Sequence, residues 1–268
     1  MAKQLSTKTT AKQLWVIKLG GQIFTNQKSI QTLMETIKGC EREFQSQFIL
    51  VHGGGKQVDE LLEKLGFVIE KQGGLRVTPP DQIPYIVGTL AGTLNKQLMA
   101  EAIKSQLSPI GLSLTDGNTC HVEQSSLSLG HVGLCQGKSP AFLSQLLEQG
   151  HTPIVSSIGI AHDGTLLNVN ADHAATAISQ CMNAELIYLS DISHVLDKQG
   201  NPINTLNEVE ADAMIQQGVI RDGMKVKVEA AVQAAKTLKK TITVMSGFEP
   251  ETIYQRIQGQ PVGTQISA

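Results

Sequence analysis

Short apolar runs ending in glycine alternate with longer stretches of helical spacing along most of this chain. Leu14-Trp15-Val16-Ile17 is uninterrupted and then gives way to Lys18-Leu19-Gly20-Gly21. That reads as a buried strand closing on a tight turn. Ile30, Leu33, Met34, Ile37 and Phe44 then fall on one helical stripe over residues 29–44, with Ser29 or Asn26 available as the cap. Phe48-Ile49-Leu50-Val51 predicts a second buried strand, ending in His52-Gly53-Gly54-Gly55. Val58, Leu61, Leu62 and Leu65 trace a helix that stops at Gly66. Strand, glycine turn and helix, twice in succession, is the pattern of a mainly parallel sheet covered by helices.

Further along, residues 67–79 predict a hairpin turning at Gly73-Gly74, and 81–106 a long helix. Residues 110–135 read as irregular short strands with a turn at Asp116-Gly117. Helices are expected over 139–149 and 171–182, and near 207–217 and 223–239. Strands are expected at 153–158, 185–190 and 241–245. The expected architecture is α/β, a three-layer αβα sandwich with a mainly parallel central sheet, in two lobes spanning 1–180 and 181–268. No Pro- or Ser-rich linker separates them, so one sheet is expected to run through both.

Composition narrows the choice of partners. In 268 residues, 22 basic against 24 acidic side chains give a net charge of −2. Such a chain has no global electrostatic footprint for nucleic acid or an anionic membrane. No apolar run approaches the ~18 residues of a membrane span. Lys3, Lys8 and Lys12 have no apolar core behind them, so no secretory signal is expected. Cys40, Cys120, Cys135 and Cys181 are widely spaced and read as reduced thiols of a cytoplasmic protein. Cys120-His121 and His131-x3-Cys135 lack the tight pairing of a zinc site.

The two glycine turns are the strongest chemical signal. Glycine lets backbone N–H groups approach an anion, and the helix that follows adds the positive end of its dipole. Familiar phosphate motifs nevertheless fail in detail. Gly137-Lys138-Ser139 has Val132 where a P-loop needs glycine, and Pro140 points to a helix start. Gly53-x-Gly55 is followed by Val58 rather than a third glycine, which excludes a dinucleotide fingerprint. His52-Gly53-Gly54-Gly55 is similar to an esterase oxyanion loop, but the chain has no GxSxG elbow.

Five segments carry a family resemblance. In chain order they are Lys18-Leu19-Gly20-Gly21, Val51-His52-Gly53-Gly54-Gly55, Gly74-Leu75-Arg76-Val77-Thr78, Asn168-Val169-Asn170-Ala171-Asp172 and Asp222-Gly223-Met224-x-x-Lys227. Together they resemble the amino acid kinase family, and GLRVT with NVNAD the members that phosphorylate N-acetyl-L-glutamate. The likeness runs from about residue 14 to the C-terminus. It implies the αβα sandwich, an N-terminal acceptor lobe, a C-terminal ATP lobe and a homodimer. ATP would be co-substrate with Mg²⁺, and its γ-phosphoryl would pass to the acceptor's side-chain carboxylate.

Residue by residue, the resemblance makes Lys18, Lys227 and Asp172 catalytic and gives phosphate contacts to Gly20 and Gly21. It gives the acceptor to Gly54, Gly55, Arg76, Asn168 and Asn170. ATP falls to Asp191, Ile192, Ser193, His194, Val195 and Leu196, and to Val219, Ile220 and Arg221. No protein side chain would ligate the metal directly; Mg²⁺ would ride on ATP, with Asp172 in reach of one of its waters. One departure is Asp222-Gly223-Met224, where many relatives have Gly-Gly-Met. Gly223 is expected to be the glycine that packs closest.

These assignments suit the residue types. A carboxylate acceptor is already ionised, so the task is to bring two anions together and offset charge on the moving group. Lysines serve as point charges on flexible stems, and the N–H groups of Gly20, Gly21, Gly54 and Gly55 would add fixed donors. Arg76 has the planar fork for a carboxylate, and Asn168 offers both a donor and an acceptor. Asn170 is equally suited to cap the helix beginning at Ala171. His52, His131 and His173 read as structural histidines, and Lys225 as a solvated surface lysine. Residues 219–245 hold six basic against two acidic side chains, consistent with a polyphosphate lobe. Ser6-Thr7-Lys8-Thr9-Thr10 is a poor helix former. It gives no sign of the N-terminal helix that joins arginine-inhibited members into hexamers, so a dimer paired through 81–106 and no arginine inhibition are expected.

Overall fold

The computed structural model describes residues 13–268, so the expectation for Ser6–Thr10 lies outside the described residues. The chain begins with β1 (Leu14–Leu19), a 3₁₀ turn (Gly21–Thr25), α1 (Gln27–Phe44), β2 (Gln47–His52) and α2 (Gly55–Lys64). A hairpin of β3 (Lys71–Gln72) and β4 (Leu75–Arg76) leads to α3 (Ile83–Val87), a π-type stretch (Gly88–Leu94) and α4 (Asn95–Lys104). Next come β5 (Pro109–Ser113), β6 (Cys120–Gln124), β7 (Val132–Gly137), α5 (Ala141–Glu148) and β8 (Thr152–Ser156). They are followed by β9 (Ile158–Ile160), β10 (Leu166–Val169), α6 (Ala171–Met182), β11 (Glu185–Ser190), β12 (Val195–Leu196), β13 (Pro202–Ile203) and β14 (Thr205–Leu206). The chain ends with α7 (Glu208–Gln216), α8 (Asp222–Leu238), β15 (Ile242–Ser246), α9 (Thr252–Ile257) and β16 (Thr264–Ile266).

Eight strands form the main sheet in the order β14-β16-β15-β11-β1-β2-β8-β5. Every neighbouring pair is parallel except β15 with β16. The central strand β1 divides its side chains between two cores. Trp15, Ile17 and Leu19 pack with Leu33, Met34 and Ile37 of α1. Val16, on the other face, packs with Ala174, Ala175 and Ile178 of α6. Alanines on α6 let that helix lie close to the sheet. Lys18 shares the face of Val16, because side chains alternate along a strand. Asn26 caps α1 by accepting from Ser29 N at 3.2 Å, and Pro140 stands at the N-terminus of α5.

Several expectations need revision. Residues 110–135 are ordered strands rather than irregular ones, and β6, β7, β10 and β9 form a second sheet of four. The strand expected over 153–158 stops at Ser156, and Ile158 opens β9 in that second sheet. The helix expected over 81–106 is present over 83–104 but opens into a wider turn at Gly88–Leu94. That turn presents Leu90 and Leu94 to Gly54, where even a Cβ would collide with Leu94. Gly223 is not the close-packing glycine, since a Cβ there would meet nothing within 4 Å. The left-handed backbone falls one residue earlier, on Asp222 at φ 51°, and aspartate tolerates that region better than most residues. No helix among the described residues is long and apolar enough to cross a membrane.

Candidate active site

Parallel strands β1, β2 and β11 all end on the same edge of the sheet, where α/β folds of this kind place their ligands. Two adjoining cavities open there. The larger, about 460 Å³, is lined by the glycine turns after β1 and β2, by Arg76, and by Asn168, Asn170 and Asp172. The smaller, about 180 Å³, is lined by Tyr188, Asp191, Lys227, Gly247 and Phe248. Lys18, Gly20, Gly21 and Asp172 line both, so they form the boundary where a group could pass from one cavity to the other.

At that boundary Lys18 Nζ lies 2.8 Å from Asp172 Oδ1. Asp172 sits in the first turn of α6, where Asn170 Oδ1 accepts from the N–H groups of Asp172 at 2.8 Å and His173 at 3.2 Å. Asn170 is therefore a helix cap that also faces the larger cavity. Its amide nitrogen is the part left to meet a ligand. The two glycine turns abut: a Cβ on Gly21 would lie 3.4 Å from Gly55 N, and Gln57 Nε2 donates to Gly21 O at 3.1 Å. As the first residues of α2, Gly55 and its neighbours have N–H groups with no partner inside the helix. Gly20 N–H, by contrast, donates to Leu189 O at 3.2 Å. It anchors the turn to β11, and Gly21 is left as that turn's donor.

Arg76 is brought to the larger cavity by the β3–β4 hairpin. Its Nη2 donates to Gly55 O at 3.1 Å and pairs with Asp59 of α2, while Lys71 reaches the same aspartate at 3.1 Å. The side chain is only 8% exposed, and Nη1 is buried without a partner. An unpartnered buried guanidinium nitrogen costs free energy until an acceptor arrives, which suits a carboxylate ligand. Asn168 Nδ2 donates to buried Thr78 Oγ1 at 3.3 Å, leaving its oxygen free for a donor.

In the smaller cavity Lys227 pairs with Asp191. Burial raises the Asp191 carboxyl, but the hydrogen bond and charge of Lys227 outweigh it and hold the group below its ordinary value. Of the nine residues assigned to ATP, only Asp191 lines this cavity. Val195 and Ile220 are core side chains, and Arg221 is exposed beside Asp222. The basic excess over 219–245 is also dispersed. Lys225 faces Glu229, Lys236 pairs with Glu208 and Lys240 with Glu185, so Lys227 is the basic side chain of that stretch lining the cavity.

His52 is wholly buried. Its Nδ1 donates to Gly53 O at 2.9 Å and its Nε2 accepts from Asn95 Nδ2 at 3.2 Å. Burial pushes its pKa down to about 4, so it stays neutral and joins β2 to α4. His131 donates from Nδ1 to Leu166 O at 2.9 Å, while His173 is exposed on α6. Asp59, Gln57, Tyr188 and Phe248 were not singled out in the sequence. Asp59 is one polar position among several on an amphipathic helix, and its pairing with Arg76 spans 17 residues of chain.

Lys18 pairs with Asp172, Lys227 with Asp191, and Arg76 shares Asp59 with Lys71, so paired cations stand around glycine turns in two adjoining cavities. A sequence model described as the amino acid kinase family matches residues 13–246, and the chain belongs to that family. It is 48% identical over 256 residues to the acetylglutamate kinase of Aeromonas salmonicida, covering 96% of this chain and 99% of that one. Among solved structures, N-acetylglutamate synthase from Neisseria gonorrhoeae, with coenzyme A and N-acetyl-glutamate, superposes with a TM-score of 0.82 at 20% identity. That match covers 96% of this chain and 59% of the other. Giardia carbamate kinase gives 0.68 at 15% identity, covering 96% and 99%. At such identities these two likenesses concern the fold.

Proposed function

We propose that this chain is the kinase that transfers the γ-phosphoryl of ATP to the side-chain carboxylate of N-acetyl-L-glutamate, a step of arginine biosynthesis. The 48% identity to an acetylglutamate kinase over nearly its full length supports the choice of acceptor. The acceptor's α-carboxylate goes to Arg76, whose unpartnered Nη1 is the observation that best fits it. Gly54, Gly55, Asn168 and Asn170 complete its cradle. ATP lies in the smaller cavity along Asp191, and the segments Ile192–Leu196 and Val219–Arg221, which do not line that cavity, are assigned to the parts of the nucleotide that extend beyond it.

The attacking carboxylate is ionised at neutral pH, so no general base is required. Lys18 and Lys227 flank the transferring group from the two cavities and offset the charge that develops on it, with the Gly21 and Gly55 N–H groups as fixed donors. Asp172 orients Lys18 and would hold a water of the ATP-bound metal. Among the described residues no three His, Cys, Asp or Glu side chains group as a metal cage. The carboxylates of Asp172 and Asp191, which line the smaller cavity, would suit the waters of a hydrated Mg²⁺ arriving with ATP. When bound, that ion neutralises the phosphate oxygens. We further place the enzyme in the cytoplasm as a homodimer joined through α3–α4, which carries exposed Tyr85 and Ile103.

A coupled assay of ADP release, comparing N-acetyl-L-glutamate, L-glutamate and L-aspartate, tests the reading. Release is expected with the acetylated acceptor. Equal rates with glutamate would overturn the acceptor, and no release with any of the three would overturn the kinase.

A further inference from the structure

Tyr188 touches both members of the Lys18–Asp172 pair, and we propose that it is a positioning residue that holds Lys18 for phosphoryl transfer. The inference rests on the kinase reading given above. Sheet register creates the contact: in the parallel pairing of β1 with β11, Lys18 lies opposite Tyr188. Paired residues leave a sheet on the same face, so the lysine stem and the ring run side by side. Lys18 Nζ ends 5.6 Å from the ring centroid, within the range where an ammonium group is attracted to an aromatic face.

The ring is itself immobilised. Tyr188 is buried, its hydroxyl lies 3.1 Å from Thr176 Oγ1, and both hydroxyls reach the backbone carbonyl of Asp172, at 3.3 Å and 2.8 Å. These contacts join β11 to the first turn of α6, which carries the Asp172 carboxylate. Burial, then the charge of Asp172, push the phenol above its ordinary range, so it remains a neutral donor. A free lysine side chain has many rotamers. Here a carboxylate on one side and a ring on another confine it before substrates arrive, which is how pre-organisation lowers a barrier. An aliphatic residue at 188 could fill the space but could supply neither the ring face nor the hydroxyl anchor.

Steady-state kinetics of Tyr188→Leu, Tyr188→Met and Tyr188→Phe test this, with folding checked by circular dichroism. The two ringless variants should lose roughly three- to thirtyfold in kcat, while KM for both substrates stays within about twofold. Tyr188→Phe keeps the ring and should recover most of that loss. In a Lys18→Ala background, Tyr188→Leu should cost no further activity, because the group it positions is gone. Ringless variants with wild-type kcat would overturn the proposal, as would a loss of undiminished size in the Lys18→Ala background. Failure of the kinase reading would appear separately, as a wild-type enzyme that releases no ADP with N-acetyl-L-glutamate.

Discussion

The two sides of the site, which we assign to the acceptor and to the nucleotide, are built differently. On the acceptor side the polar groups are already held: Arg76 is 8% exposed and fixed by Gly55 O and Asp59, and Asn170 is committed to capping α6. Across the boundary, Lys227 is 34% and Asp191 39% exposed, and Asp222 at the start of α8 is 91% exposed. One side is set by strands and a hairpin, whereas the other rests on side chains that still face water. On the proposed assignment the acceptor would meet a prepared cradle, while binding at the nucleotide side would also have to order and desolvate its own lysine. Losses on the first side should read as acceptor affinity, and losses at the lysines as turnover.

The largest expected effect is on the two lysines. Lys18→Ala and Lys227→Ala should each lower kcat by roughly 10²-fold or more, with small changes in KM, because their charge matters most in the transition state. A Lys227→Ala enzyme with normal kcat and a raised KM for ATP would break the comparison and make that lysine a ground-state binder. Next comes Arg76→Ala, which should raise the acceptor KM about ten- to hundredfold and leave the KM for ATP unchanged. Movement of both KM values together would mean that Arg76 holds the site as a whole.

Acid separates the two sides in stability. His52 is neutral in the fold down to about pH 4, while an unfolded histidine takes up its proton near 6.5. The unfolded chain thus binds more protons below 6.5, and stability present above that value is lost as pH falls toward 4. Urea unfolding should show roughly 2 kcal/mol lost from this group between pH 7 and 5. Asp191, held below its ordinary value, contributes stability that persists through this window and goes only as pH drops through the carboxylate range. A flat stability profile from pH 7 to 5 would count against the buried neutral His52. The smallest effect belongs to Lys225→Ala: its partner Glu229 is an exposed i+4 neighbour, worth about 0.5 kcal/mol or less. An essential Lys225 beside a dispensable Lys227 would reverse the register of α8.

How much could be read in advance divides along similar lines. The units β1 to α2 were legible because an unbroken apolar run, a glycine pair and a helical stripe all point the same way. Lys18 and the glycine turns follow directly from that order. What was not legible depends on distant partners. Asp59 and Arg76 meet only when the hairpin folds over α2, and Tyr188 acquires its place from the β1–β11 register. Ile158-Gly159-Ile160 and Leu166–Val169 are too short for periodicity to register, though they complete the sheet that carries Asn168. The wide turn at Gly88–Leu94 has no proline to announce it; Gly88 and Gly92 weaken the helix, and contact with Gly54 accompanies the change.

Strand β1 is hydrogen-bonded on one side to β2 and on the other to β11, which follows residue 180. A polypeptide cut at that residue would not yield two finished halves. The first fragment would carry β1 with a bare row of N–H and C=O groups beside Trp15 and Ile17, and the second would expose the matching row of β11. Each is a template for pairing with any other unsatisfied strand, and so an aggregation site. The two cavities thus depend on the same seam, and a chain that loses it loses both.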